Sequence, residues 1–131
     1  MDGRLRQLFQ QRLPEFHWQA VETGGTGLGI PDLNFCCTGI EGWIELKQTQ
    51  AWRVRVSPEQ VGWAERRLRH GGRVFVAVRR KDTELYLLTG SAMRALAQGD
   101  EKLPALALAF WTGGPHNWDW VDIKSLLLLQ K

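Results

Sequence analysis

The sequence predicts an α/β fold, a mixed sheet flanked by helices, and three observations predict it. Residues 33–48 carry a β-hairpin pattern, in which LNFCCT and WIELKQ flank a glycine-bounded turn. Ser57-Pro58-Glu59-Gln60 then opens a helix that Gly71 and Gly72 close. RVFVAVRR follows as a strand. Strand, helix and strand make a right-handed parallel crossover joining residues 43–48 to 73–79.

The elements follow in chain order. Leu5, Phe9, Leu13 and Phe16 recur at helical intervals across residues 3–19, with Pro14 set to kink or end the helix. Gly24 to Gly29 reads as a turn-rich loop, and Gly39 to Gly42 as the hairpin connection. A basic loop with Trp52, Arg53 and Arg55 leads to the crossover helix, Ser57 to about His70. Ser57 is its N-cap, Pro58 its first residue, and Gln60 completes an S-x-x-Q capping box. KDT is a turn, ELYLL a strand, and Ser91 caps a short helix, SAMRALAQ. Residues 104–131 are apolar and hold Trp111, Trp118 and Trp120, which suits an added strand and a terminal helix. The whole, residues 1–131, reads as one domain with its core at about 3–98. The extension at 99–131 either completes that core or forms the two-fold interface of a homodimer.

A chain of 131 residues buries a core without help from disulfides or metal. No apolar run approaches the ~20 residues that span a bilayer, which speaks against a membrane partner. MDGRLRQLFQQRL is charged and amphipathic rather than signal-like, so a cytoplasmic, nucleoid-associated location is expected. Cys36 and Cys37 are adjacent and on a strand point to opposite faces, as reduced thiols would. Charge is unevenly spread. Between Lys47 and Lys81 ten Lys or Arg face two acids, Glu59 and Glu65, while the rest of the chain holds seven basic residues against twelve acidic ones. A basic middle suits a polyanion, although solvated arginines on a helix face would look the same.

GGTGLGIPDLN, Gly24 to Asn34, poses the functional question. A phosphate-binding loop needs a helix after its glycines and a Lys-Ser or Lys-Thr pair. Here Ile30, Pro31 and a strand follow, with no lysine before Lys47, so the loop reads as a turn rather than a nucleotide cradle. Pro31-Asp32 matters instead. Alternation places Trp43, Glu45 and Lys47 on one face of their strand and Ile44 and Leu46 on the other. Antiparallel pairing returns Asp32 towards Glu45 and Lys47, so two carboxylates converge beside an ammonium. A divalent cation relieves their repulsion. Asp32, Glu45 and the Leu46 backbone carbonyl would hold Mg2+, with Mn2+ as a substitute, and leave positions for water and phosphate. Lys47 would orient that water or meet the charge that builds on the phosphate.

GIPDLNFCCTGIEGWIELK resembles the motif of the PD-(D/E)XK nuclease superfamily, in particular its VRR-NUC branch, similar to Holliday junction resolvases. SPEQVGWAERRLRHGGRVFVAV resembles that branch's helix, glycine and strand, so the likeness spans roughly residues 22–90. It implies a restriction-endonuclease-like core of order α-β-β-β-α-β, Mg2+ or Mn2+ dependence, and cleavage of branched, flapped or junction DNA. It also implies that Asp32 and Glu45 are metal ligands, Lys47 catalytic, and Gln60 an active-site helper. The capping box explains Gln60 equally well, and both roles stay open. Many members carry a further acid on the first helix. Glu15 and Glu22 are the candidates and Glu22, nearer Asp32, is preferred. His17 stays outside the site.

DNA contacts are expected from Arg53 and Arg55 after the catalytic strand, from Arg66 and Arg67 at the end of the helix, and from Arg79, Arg80 and Lys81 at a hairpin turn. Trp52 either stacks on an unpaired base or packs. The leading expectation is a metal-dependent DNA endonuclease with little sequence preference. The alternatives are a non-catalytic DNA-binding module, and a nuclease subunit activated by a helicase or recombination partner.

Overall fold

The computed structural model describes residues 3–22 and 28–130, so most of the glycine loop, at 23–27, lies outside the described residues. Helix α1 (Gly3–Arg12) is followed by strands β1 (His17–Ala20), β2 (Leu33–Cys37) and β3 (Ile40–Thr49). Helix α2 (Pro58–Arg69) crosses to β4 (Val74–Arg80), which turns into β5 (Glu84–Thr89). Helices α3 (Met93–Gln98) and α4 (Leu103–Leu106), strand β6 (Ala109–Trp111) and helix α5 (Trp120–Leu129) complete the order. The strands form one mixed sheet in sequence order, antiparallel throughout except for the parallel β3–β4 pair.

Side-chain alternation divides the core between the two faces of the sheet. One face carries Phe35, Ile44, Leu46, Phe75 and Leu87 against Leu5, Phe9 and Leu13 of the first helical segment and Ile123 and Leu127 of α5. The other carries Val74, Val76, Val78 and Leu88 against Val61 and Ala64 of α2 and Met93 and Leu96 of α3. β4, at the centre, is buried on both faces, as its unbroken VFVAV run requires. Among the described residues no helix is long and apolar enough to cross a membrane.

The crossover helix begins as its sequence dictates. Ser57 Oγ accepts from the Gln60 N–H at 3.1 Å, and the Ser57 N–H donates to Gln60 Oε1 at 3.0 Å. It ends in a Schellman arrangement: Gly72 N–H donates to Arg67 O and Gly71 N–H to Leu68 O, with Gly71 at φ +84°.

Three local expectations are corrected. The helical stripe from Leu5 to Phe16 does not run to residue 19, because α1 ends at Arg12 and HWQA is an edge strand paired with β2. The hairpin turn is the two-residue Thr38-Gly39, both at positive φ, which matches strand twist, so residues 40–42 already belong to β3. Ser91 does not cap α3. It lies in a 3-10 turn, Gly90–Ala92, with its hydroxyl 2.6 Å from that of Thr89. The tail supplies the strand and terminal helix that its apolar sequence suggested: β6 pairs with β5, and α5 buries Ile123 and Leu127 under the sheet.

Candidate active site

The site forms where β2 stops and β3 continues. Leu33 pairs with Ile44, so the same register places Asp32 opposite Glu45, one step past the last ladder pair. Paired residues share a face, and this one looks towards α2. The backbone locks the arrangement. Asp32 Oδ2 accepts from the Leu46 N–H at 2.8 Å, and the Asp32 carbonyl accepts from the Val21 N–H at 2.8 Å.

The Trp43 N–H donates to Arg73 O across the β3–β4 seam, so the odd residues of β3 present their peptide groups to β4. Leu46, an even residue, turns its N–H and carbonyl to the β2 side, beyond the end of that strand. Its side chain remains in the core, 1% exposed. The expected backbone ligand therefore lies on the Asp32 side of β3.

Glu45 is 5% exposed. Its Oε2 accepts from Gln60 Nε2 at 2.7 Å and stands 3.5 Å from Lys47 Nζ. Lys47 Nζ also donates to Gln60 Oε1 at 3.1 Å. One amide thus caps its helix, receives the lysine and donates to the glutamate, so the cap does not keep Gln60 from contacting Glu45 and Lys47. Burial first, and then the charge of Asp32, pushes the Glu45 carboxyl up to about 7 against the opposing pull of Lys47.

The approach to α2 is tight at Gly29. That residue has φ +79°, and a methyl group built there would overlap the Glu59 carbonyl. Only glycine lets this segment lie against the first turn of α2 on its way to Pro31 and Asp32. An open cleft of about 640 Å³ continues from the site, lined by Lys47, Arg55, Ser57, Gln60 and Gly99.

The expected satellites divide. Arg55 is exposed and lines the same cleft as Lys47. Arg53 is exposed beside it and leans on the Gly99 carbonyl at 2.7 Å. Arg66 and Arg67 line a separate hollow near the end of α2. Arg80 is a correction: it is 5% exposed, makes two hydrogen bonds to Glu84 at 3.0 and 2.8 Å, and covers the Trp52 ring at 3.4 Å. It is a structural cation, and its contact packs one face of Trp52. Arg79 is corrected too. Alternation puts it on the α5 face, over Trp118 at 5.7 Å, opposite the face that carries Glu45. Lys81 is exposed at the β4–β5 turn, at φ +52°.

Glu22 does not join the site. β1 sends Trp18 and Ala20 into the α1-side core, and the Val21 bond to Asp32 continues that alternation, which aims Glu22 away from Glu45. It is exposed, as is Glu15. Among the described residues no group of three or more His, Cys, Asp or Glu is placed to hold a metal. Asp32, Glu45 and the Leu46 carbonyl would offer two carboxylates and a carbonyl, all hard oxygen, a set whose chemistry suits Mg2+ or Mn2+ completed by water and substrate oxygens.

The sequence places Trp43 on the Glu45 face but gives no partner for it; Trp63 of α2 is that partner. Their rings meet edge to face at 5.2 Å beside the site, with Arg67 over both at 5.2 and 4.6 Å. Gln60, Trp63 and Arg67, spaced as one helical stripe, were the available signal.

No family model matches the sequence, and no curated protein does. Among solved structures the chain is similar to the 1.6 Å structure of Archaeoglobus fulgidus Hjc, a Holliday junction resolvase from an archaeal hyperthermophile. The TM-score is 0.57 at 16% identity, over 69% of this chain and 78% of that one. The fold, a mixed six-stranded sheet flanked by helices, is that of a resolvase structure.

Proposed function

We propose that this chain is a metal-dependent endonuclease of the PD-(D/E)XK type, close to the VRR-NUC branch, that hydrolyses phosphodiester bonds in branched or otherwise structured DNA. The observation that carries the reading is the placement of Asp32 opposite Glu45 beyond the end of β2, with Lys47 and Gln60 on the same face. The likeness to a Holliday junction resolvase supports a branched substrate.

Asp32, Glu45 and the Leu46 carbonyl would hold Mg2+ or Mn2+, which when bound supplies a Lewis acid and a water of lowered pKa. Gln60 holds Glu45 and Lys47 in one hydrogen-bonded unit, so neither side chain swings free of the site. Lys47 carries its ammonium to the cleft wall, where it orients the attacking oxygen or meets the charge that builds on the phosphate. Arg55 lines the same cleft, Arg53 reaches the carbonyl of Gly99 on its wall, and both contact the strand through its phosphates, which carries little sequence choice.

Activation by a helicase or recombination partner is the second reading. The test incubates the chain with branched, flapped and linear DNA in Mg2+, in Mn2+ and in chelator, beside Asp32→Ala and Lys47→Ala. The reading predicts cutting of branched DNA only with metal and only by the unaltered chain. Cutting that persists in chelator or in Asp32→Ala defeats it. Binding without cutting in either metal favours a DNA-binding module, and cutting only with an added helicase favours the subunit.

A further inference from the structure

We propose that Trp63 and Arg67, with Trp43 behind them, form a stacking shelf for one unpaired nucleotide of the DNA strand that crosses the site. This rests on the reading of the chain as acting on DNA, though not on its cutting it.

The shelf continues the active-site row. Gln60, Trp63 and Arg67 occupy one stripe of α2, opposite Lys47, Glu45 and Trp43 on one face of β3. Trp43 lies two residues from Glu45, roughly 7 Å along the strand. A base stacked there belongs to a nucleotide next to one whose phosphate reaches the carboxylates.

The chemistry of the shelf is that of a nucleotide site. Arg67 lies over the Trp63 ring at 4.6 Å and the Trp43 ring at 5.2 Å. It is exposed, and among the described residues its guanidinium has no carboxylate or carbonyl partner. Arg80 and Arg94, by contrast, are each committed to a carboxylate. Arg66 shares with Trp63 and Arg67 a hollow of about 550 Å³, so the phosphate of the stacked nucleotide meets positive charge. A helix C-terminus attracts cations by itself, which accounts for a basic last turn but not for a guanidinium laid across two indoles. Gly72 makes that posture possible: a Cβ there would stand 2.6 Å from Arg67 Cγ and Cδ.

Paired duplex bases are stacked on one another and cannot use the shelf, whereas unpaired bases at a flap or branch can. The shelf would thus read branched structure without reading sequence.

The test measures binding in chelator, where no strand is cut, by anisotropy of a labelled blunt duplex and of the same duplex with a single-stranded flap. Trp63→Ala, Arg67→Ala and Arg67→Lys are expected to weaken flap binding roughly fivefold or more while leaving the blunt duplex within about twofold. Trp63→Phe is expected to retain most flap affinity. The lysine variant separates stacking from charge, because it keeps the cation and loses the plane. Equal weakening on both DNAs, or none on the flap, overturns the proposal. Thermal unfolding is followed for each variant. Should Trp63→Ala not fold, the exposed-residue variants of Arg67 and Gly72→Ala carry the same comparison. A chain that never cuts but distinguishes flaps through Trp63 and Arg67 keeps the shelf and loses the nuclease reading. A chain that cuts, while these variants bind flaps as tightly as the unaltered protein, loses the shelf alone.

Discussion

Gln60 Nε2 donates to Glu45 Oε2 at 2.7 Å, while the same side chain's oxygen closes the cap of α2 on the Ser57 N–H. The start of the crossover helix and the position of a proposed metal ligand are thereby one structure. Ser57→Ala and Gln60→Ala should each cost roughly 0.5–2 kcal/mol of stability, because each removes part of the cap. They should differ in function. Ser57→Ala leaves the Glu45 contact in place and should retain most cleavage, whereas Gln60→Ala should lose tenfold or more in kcat. Urea unfolding beside cleavage rates measures both; equal activity in the two variants would reduce Gln60 to a cap.

The raised pKa of Glu45 sets a pH dependence. Its folded value of about 7 lies above the ordinary 4.5. Between these values the folded, metal-free chain holds a proton that the unfolded chain has lost, so stability falls as pH rises through that window. The full difference amounts to about 3 kcal/mol at most. Glu45→Gln should remove this slope and make the metal-free protein more stable above pH 7 while abolishing cleavage. Metal must displace the same proton. Mn2+ affinity should therefore rise towards tenfold per pH unit below about 7 and level off above it, as isothermal titration would show.

Arg80 and Arg55 should behave as opposites. Arg80→Ala strands Glu84 in a partly buried pair and should cost about 3 kcal/mol of stability, with the salt dependence of DNA binding unchanged. Arg55→Ala should leave stability within about 0.5 kcal/mol and make the slope of log affinity against log salt shallower by about 0.9, the signature of one lost phosphate contact. Thermal melts and salt titrations of DNA binding check both.

Gly29→Ala tests the close approach of the glycine segment to α2. The added methyl meets the Glu59 carbonyl and the φ of +79° disfavours any L residue, so the segment must shift and carry Pro31 and Asp32 with it. A loss of roughly 1–3 kcal/mol in stability is expected, together with weaker Mn2+ binding. Gly39→Ala, at a turn with open space around it, should cost stability without changing metal affinity.

Much of this was legible because local rules and tertiary structure agree. The Ser57 box, the glycine stop and the VFVAV run each have one sensible reading, and the parallel crossover follows from them. Alternation alone put Glu45 and Lys47 together, and the hairpin brought Asp32 back to them. The misses have physical reasons. β1 is a four-residue edge strand, and the apolar stripe of α1 ends at Phe16, directly before it, so helical spacing seemed to continue. With that strand unseen, its alternation could not turn Glu22 away. Arg80 counted as free charge, although it and Glu84 flank a three-residue turn and pair across the hairpin. Trp43 and Trp63 are far apart in sequence, and only the packing of α2 on the sheet brings the Trp63 ring against Trp43 beside Glu45.

The most direct measurement is the anomalous scattering of a crystal soaked in Mn2+ at a concentration that supports cleavage. One peak about 2.1 Å from carboxylate oxygens of both Asp32 and Glu45 and from the Leu46 carbonyl is the expected result. A peak that touches neither carboxylate, or full cleavage with none at this position, would contradict the metal site on which the proposed chemistry depends.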